Sequence, residues 1–284
     1  MLRHTLVCLE GKPSGNDVLL SAVRFAAGYG AWLSGLYVRD PAPPPFLPTV
    51  DPMFPSFPSP QSLEAYKEEI EQHERKQDLL QATAYQAFYQ VCRDGGVEGK
   101  LVTRTGDPRE IIPAAARTAD LVIAGRGAGE DSTLGSVAGS LVRHLARPVL
   151  LIGEPLRELT RVAVAYDATL GGERALSLGA DVAARWRNHP VFVDLVHALA
   201  PGTADAEDPE IAKAEHYLDI YELEHATHSA AGRAADVIVE QAERVNADLL
   251  VMGAYGHSLV REVLLGSTTQ SVIARWRRPI LLWR

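Results

Sequence analysis

The chain repeats itself. Ala119-Asp120-Leu121-Val122-Ile123-Ala124-Gly125 is echoed by Ala247-Asp248-Leu249-Leu250-Val251-Met252-Gly253 at an offset of 128. Downstream, Arg147-Pro148-Val149-Leu150-Leu151-Ile152 answers Arg278-Pro279-Ile280-Leu281-Leu282-Trp283 at an offset of 131, so the stretch between the two blocks is three residues shorter in the first copy. Upstream, Leu6-Val7-Cys8-Leu9-Glu10 parallels Ala163-Val164-Ala165-Tyr166-Asp167 at an offset of 157, which gives the first copy about 29 extra residues in its middle. A tandem duplication restricts the fold more than composition can, because one architecture must serve both copies. Two copies in 284 residues are each of ordinary domain size. The boundaries expected are 1–154 and 160–284, with a linker near 153–160.

Within each copy, short apolar runs alternate with longer amphipathic ones, the pattern of parallel strands joined by right-handed helical crossovers. The first copy reads as strands at Thr5–Leu9, Trp32–Val38, Gly99–Thr103, Leu121–Ala124 and Val149–Ile152. Its helices are Asn16–Tyr29, Leu63–Arg93, Pro108–Arg117 and Ser136–Leu145. Asp107-Pro108 supplies a helix cap followed by proline at the first helical position, and Gly95-Gly96 stops the long second helix. The second copy repeats the scheme with strands at Val162–Tyr166, Val191–Val196, Glu224–His228, Leu249–Met252 and Ile280–Trp283. The helices between them are Gly172–Arg187, Glu210–Glu222, Ala234–Asn246 and Ser267–Trp276. Nine of the eighteen prolines crowd between Pro41 and Pro60, with Phe46, Met53, Phe54 and Phe57 among them. Proline lacks the N–H and fixes φ, so this insert reads as a long loop: a cover packed by its aromatics, or a polyproline-type docking segment.

In an open parallel sheet, ligands bind outside the carboxyl ends of the strands. In the second copy those positions hold Asp167 after the first strand, Val196-His197 after the second and Gly253-Ala254-Tyr255-Gly256 after the fourth. Gly266-Ser267-Thr268-Thr269 follows where the last helix begins. Glycines admit close backbone approach, the free N–H groups of a helix start favour an anion, and a carboxylate can accept from a ribose hydroxyl or a base amine. Together these residue types describe a nucleotide pocket.

Gly253-x2-Gly256-x9-Gly266-Ser267 behind the strand Leu249–Met252 resembles the ATP-binding signature of the universal stress protein family, and the whole chain resembles that family's tandem two-domain members. The resemblance implies two α/β, Rossmann-like (HUP-type) domains, each a five-stranded parallel sheet of order 3-2-1-4-5. It further implies that the two fifth strands pair antiparallel, so that one chain imitates the homodimer of single-domain relatives. It places ribose and adenine at Asp167, the base against the backbone of Val196, and the phosphates among Gly253, Gly256, His257, Gly266, Ser267 and Thr268. ATP is the nucleotide implied, with AMP or ADP as alternatives and Mg²⁺ as companion to ATP. The action implied is a regulatory, stress-response one by binding, with hydrolysis slow at most; a weak ATPase, a nucleotidyl-transferring enzyme and a nucleotide-free scaffold stand as alternatives. Pairing of whole chains and an unidentified protein partner also follow as expectations.

The first copy departs from that signature. Glu10 stands where the aspartate should be, Ala128 takes the second glycine register, and Glu130 and Asp131 put two acids in the shortened loop. Acids repel phosphates, with Arg126 expected to compensate in part, so nucleotide is expected mainly in the second domain.

Other chemistries lack their patterns. A net charge of -8 gives no general attraction to nucleic acid or anionic lipid. Cys8 and Cys92 form no CxxC or Cys/His motif, and no run approaches the length of a membrane span, which points to a reducing cytoplasm. GxxxxGK[ST], GxGxxG after a first strand, and GxSxG are absent. His216, His225 and His228 lack the helical spacing and nearby glutamate of a HExxH zinc site.

Overall fold

The computed structural model describes residues 2–9, 15–41, 60–127, 136–199, 208–254 and 266–284. In the first half, β1 (His4–Leu9), α1 (Gly15–Tyr29), β2 (Trp32–Arg39), α2 (Pro60–Asp94), β3 (Gly99–Thr105), α3 (Pro108–Ala116), β4 (Leu121–Gly125), α4 (Ser136–His144) and β5 (Val149–Ile152) follow in order. The second half continues with β6 (Arg161–Ala165), α5 (Leu170–Arg185), β7 (Phe192–Leu199), α6 (Pro209–Ile220), β8 (His225–Ala231), α7 (Ala234–Arg244), β9 (Leu249–Gly253), α8 (Ser267–Arg275) and β10 (Ile280–Trp283). Every strand and helix read from the apolar pattern is present, with ends shifted by a few residues. The expected loop from Pro41 to Pro60 gives up its last proline, because Pro60 opens α2; residues 42–59 lie outside the described set.

All ten strands form one sheet in the order β3-β2-β1-β4-β5-β10-β9-β6-β7-β8. Pairing is parallel within each half, and β5 meets β10 antiparallel with Leu150 opposite Leu281. Each half is thus the 3-2-1-4-5 sheet, and the two share a centre. Central strands read as unbroken apolar runs because both faces are covered. One face carries α1, α2, α5 and α6 over a core that includes Phe25, Phe88, Leu150, Val164 and Leu281; the other carries α3, α4, α7 and α8 over Leu6, Leu141, Leu151, Val196 and Trp276. Both cores cross from one half to the other.

The repeated residues have structural duties. Asp120 accepts from the N–H groups of Arg3 and His4 at 2.9 and 3.0 Å, and Asp248 from those of Thr160 and Arg161 at 2.8 and 3.0 Å. Each aspartate thereby fastens the start of its half's first strand to the turn before the fourth. The arginine of each Arg-Pro pair bonds backward as well, Arg147 to the Arg117 carbonyl and Arg278 to that of Ala247.

The linker stretch 153–160 is packed against the first half's α1. Leu156 and Leu159 are buried, the Leu156 N–H donates to Ser21 Oγ at 2.9 Å, and Arg24 donates to the Leu156 carbonyl. Two leucines in a polar-looking run turn it into part of the seam. On the same face Tyr29 donates to Asp181, and Trp186 meets the edge of Phe25 with ring centroids 5.9 Å apart.

A candidate nucleotide cavity at the carboxyl end of the second half

Five elements of the second half end or begin around one cavity of about 410 Å³. The end of β6 supplies Tyr166 and Asp167, β7 supplies Val196 and Ala198, and β9 supplies Met252 and Gly253. The starts of two helices close it, α7 with Ala234 and Ile238, and α8 with Gly266, Ser267, Thr268 and Thr269. Asp167, Val196, Gly253, Gly266, Ser267 and Thr268, picked out from sequence, therefore line one space. Gly256 and His257 lie outside the described residues, as do Glu10 and the first half's loop at 128–135.

Local chemistry orients the carboxylate. Asp167 Oδ1 accepts from the Thr169 N–H at 3.1 Å and the Thr169 hydroxyl at 2.5 Å, while Thr169 caps α5 by accepting from the Gly172 N–H at 3.2 Å. A Cβ on Gly172 would stand 2.6 Å from that same Oδ1, so glycine is needed for the carboxylate to rest over the helix start. Ala168, between Asp167 and Thr169, has φ of 52°, the left-handed region that non-glycine residues seldom enter.

Gly253 has a packing role. A Cβ there would lie 2.8 Å from the Gly171 backbone, so its bareness is taken up by the start of α5 rather than by open space for a ligand. Val196 is buried, and its carbonyl already accepts from the Tyr166 N–H at 3.0 Å; a ligand would meet that carbonyl's second lone pair. Burial, followed by the charges of Glu173 and Glu210, raises the pKa of Tyr166 and keeps that phenol neutral beside the cavity.

The cavity's electrostatic character comes from the two helix starts. Among the described residues neither the Gly266 cap of α8 nor the Arg233 cap of α7 makes a side-chain cap bond, so the first N–H groups of α8 and those of Ala234 and Ala235 in α7 suit an anion, while the Asp236 N–H is taken by the Arg233 carbonyl at 2.9 Å. Thr269 is fully turned inward, its hydroxyl shared between the Gly253 and Ala254 carbonyls at 3.3 and 3.1 Å, and so ties the first turn of α8 to the end of β9. Thr169, Gly172, Ala234 and Ile238 line the cavity without standing out in the sequence. The faint signals for them are a threonine at a helix cap position and a glycine pair inside a helix's first turn, where glycine is unfavourable unless close packing requires it.

The first half builds a different space. Its described cavity, about 370 Å³, lies between the start of α1 and the ends of β4 and β5, with Asp17, Arg126, Glu154 and Arg277 at its walls. From that wall Arg126 also donates across the seam to the Ile273 and Arg278 carbonyls at 2.9 and 3.1 Å. Burial, with Arg277 nearby, lowers its pKa to about 10. The histidines are likewise engaged: His228 Nε2 meets Asp194 at 2.8 Å and His225 Nδ1 the Leu223 carbonyl at 3.1 Å.

Fold and cavity define a class: doubly wound α/β halves joined through their fifth strands, with helix starts and an acid gathered beyond the strand ends. The universal stress protein family model matches residues 1–153 and 158–284, and the chain belongs to that family as a tandem member. It is 27% identical over 220 residues to the universal stress protein Slr1230 of Synechocystis, covering 74% of this chain and 72% of the relative. A universal stress protein from Archaeoglobus fulgidus superposes with a TM-score of 0.72 at 20% identity, over 99% of this chain and 98% of its own. A universal stress protein described as putative, from Pseudomonas aeruginosa, gives 0.64 at 16% identity, over 99% and 93%. No described helix is long and apolar enough to cross a membrane.

Proposed function

We propose that this tandem universal stress protein, with domains at 1–154 and 160–284, binds an adenine nucleotide, foremost ATP, in its second domain and acts through the bound state as a regulatory protein of the cytoplasm. One observation carries the reading: the starts of α7 and α8, with no side-chain cap among the described residues, line a single cavity with Asp167. An anion suits the helix starts and a hydroxyl or amine suits the carboxylate, which is the polarity of a nucleotide read from phosphate to ribose and base. Met252, Ile238 and Ala198 offer an apolar floor for the ring. Asp167, held by Thr169, orients the ribose; Ser267 and Thr268 hold phosphate oxygens. Gly256 and His257 belong to the same signature by family resemblance. Mg²⁺ would arrive with ATP and neutralise its phosphates, and the chain's own part is to bind and orient.

Small molecules released from purified, denatured protein, identified by mass spectrometry, test this directly. One ATP per chain is expected, with Asp167→Ala weakening ATP uptake at least tenfold and Glu10→Ala leaving it intact. The opposite pattern would move the nucleotide to the first domain. Absence of any adenine nucleotide, together with no heat of ATP binding, would favour a scaffold role.

A further inference from the structure

The helix that faces the cavity ends against a side chain from the other half. α8 has nine residues, about 13 Å of helix at 1.5 Å per residue. Its first turn lines the cavity, fastened to the end of β9 by Thr269. Its last turn leaves carbonyls without partners in the helix. The Trp276 N–H takes the Val272 carbonyl, and the carbonyl of Ile273 accepts from Arg126 at 2.9 Å. A cation there also meets the favourable end of the helix dipole.

Arg126 follows β4 directly and so roots the first half's counterpart of the glycine loop. Its second bond, to the Arg278 carbonyl at 3.1 Å, grips the turn that leads from α8 into β10. That turn is stiff. Trp276 is buried and donates to the Pro279 carbonyl at 3.1 Å, and Arg278 is held by the Ala247 carbonyl and Asn246 Oδ1, each at 2.7 Å. A short helix with one end in the cavity and the other held by the opposite half moves as a unit.

We infer that Arg126 is a positioning residue for the nucleotide site of the second half: by holding the far end of α8 it sets where Ser267 and Thr268 stand. Reciprocally, an anion at the start of α8 is felt at the root of the first half's loop, because coupling between two sites acts equally in both directions. The inference rests on the nucleotide reading above. It also gives the first half a task for which it needs no nucleotide of its own.

The test compares Arg126→Ala, Arg126→Lys and Tyr29→Phe in the full chain. Tyr29 crosses the seam on the opposite face of the sheet, to Asp181, and controls for general loosening. ATP titration by calorimetry and hydrogen exchange over 266–276 in ligand-free protein are the readouts. Arg126→Ala should weaken ATP binding about five- to tenfold and speed exchange in α8. Arg126→Lys keeps the charge but not the forked pair of donors, and should fall between. Tyr29→Phe should lower the thermal midpoint and leave both readouts as in the parent. The inference is overturned if Arg126→Ala leaves affinity unchanged, whatever the exchange shows, or if Tyr29→Phe alters both readouts equally. If the parent chain takes up no ATP, the nucleotide reading fails by itself. Exchange in the ligand-free variants then decides separately: faster exchange in Arg126→Ala alone sustains the hold on α8, and unchanged exchange removes it.

Discussion

The two halves agree where the sheet is built and disagree where it ends. Asp120 and Asp248 fasten the same strand starts, and Arg147 and Arg278 each reach back to a carbonyl just before the fourth strand of their half. Beyond the carboxyl ends the likeness stops. The start of α3 is occupied by Asp107, which accepts from the Arg109 N–H at 2.8 Å and pairs with its guanidinium; at the matching start of α7, Arg233 makes no side-chain cap bond. Gly125 faces the tip of Val18, and Gly253 faces the backbone of Gly171. Faithfully repeated residues thus do the work of folding, and the departures fall around the cavity.

Substituting the two strand-end glycines puts the largest strain on this contrast. In Gly253→Ala the new methyl would meet the Gly171 backbone at 2.8 Å, and backbone cannot swing aside; a loss of about 2–3 kcal/mol is expected, with ATP affinity reduced more than tenfold. In Gly125→Ala the methyl would stand 3.2 Å from Val18 Cγ2, a side-chain tip that can yield, at a cost below about 1 kcal/mol. Denaturant unfolding and calorimetry of the pair would measure both. Equal losses in the two variants would mean that the halves do not differ at this point.

Exchanging the helix caps sharpens the contrast at a smaller scale. Arg233→Asp would place on α7 the kind of cap that α3 has, so stability should rise by about 1 kcal/mol while the added carboxylate weakens ATP binding several-fold. Asp107→Ala should cost about 1 kcal/mol and leave ATP binding alone. A stabilised Arg233→Asp that still binds ATP as the parent does would argue that the start of α7 plays no part in holding the ligand.

Most of this architecture was legible because it depends on local signals. Strands buried on both faces are apolar throughout, and Asp107-Pro108 and Gly95-Gly96 mark helix ends by their own chemistry. What the sequence does not show has a different cause. Arg126 lines its own half's cavity, but its bond to the Ile273 carbonyl joins residues 147 apart. Leu156 and Leu159 belong to a linker whose burial depends on α1 and the shared core. Gly253 lines the cavity, and its missing Cβ also admits the Gly171 backbone, a packing demand that only the fold reveals. Thr169 and the inward turn of Thr269 are hidden for the same reason: each matters through contacts that assemble only when strand ends and helix starts converge.

The turn at Ala168 sets the finest test. Its φ of 52° is a conformation that costs a residue with a Cβ roughly 1–2 kcal/mol, and the first copy has Gly11 at the matching position. Ala168→Gly would remove that cost but add freedom to the unfolded chain of comparable size, so the net change in stability should stay within about 1 kcal/mol. Its effect on binding is the more informative quantity. The strained turn brings the Thr169 N–H and hydroxyl onto Asp167 Oδ1, and a glycine loosens that arrangement before the ligand arrives. Ordering it on binding then costs more, and ATP affinity should fall by about twofold. Tighter binding in Ala168→Gly would mean that the strain opposes the ligand, and that the second half's departure from glycine here serves stability rather than the site.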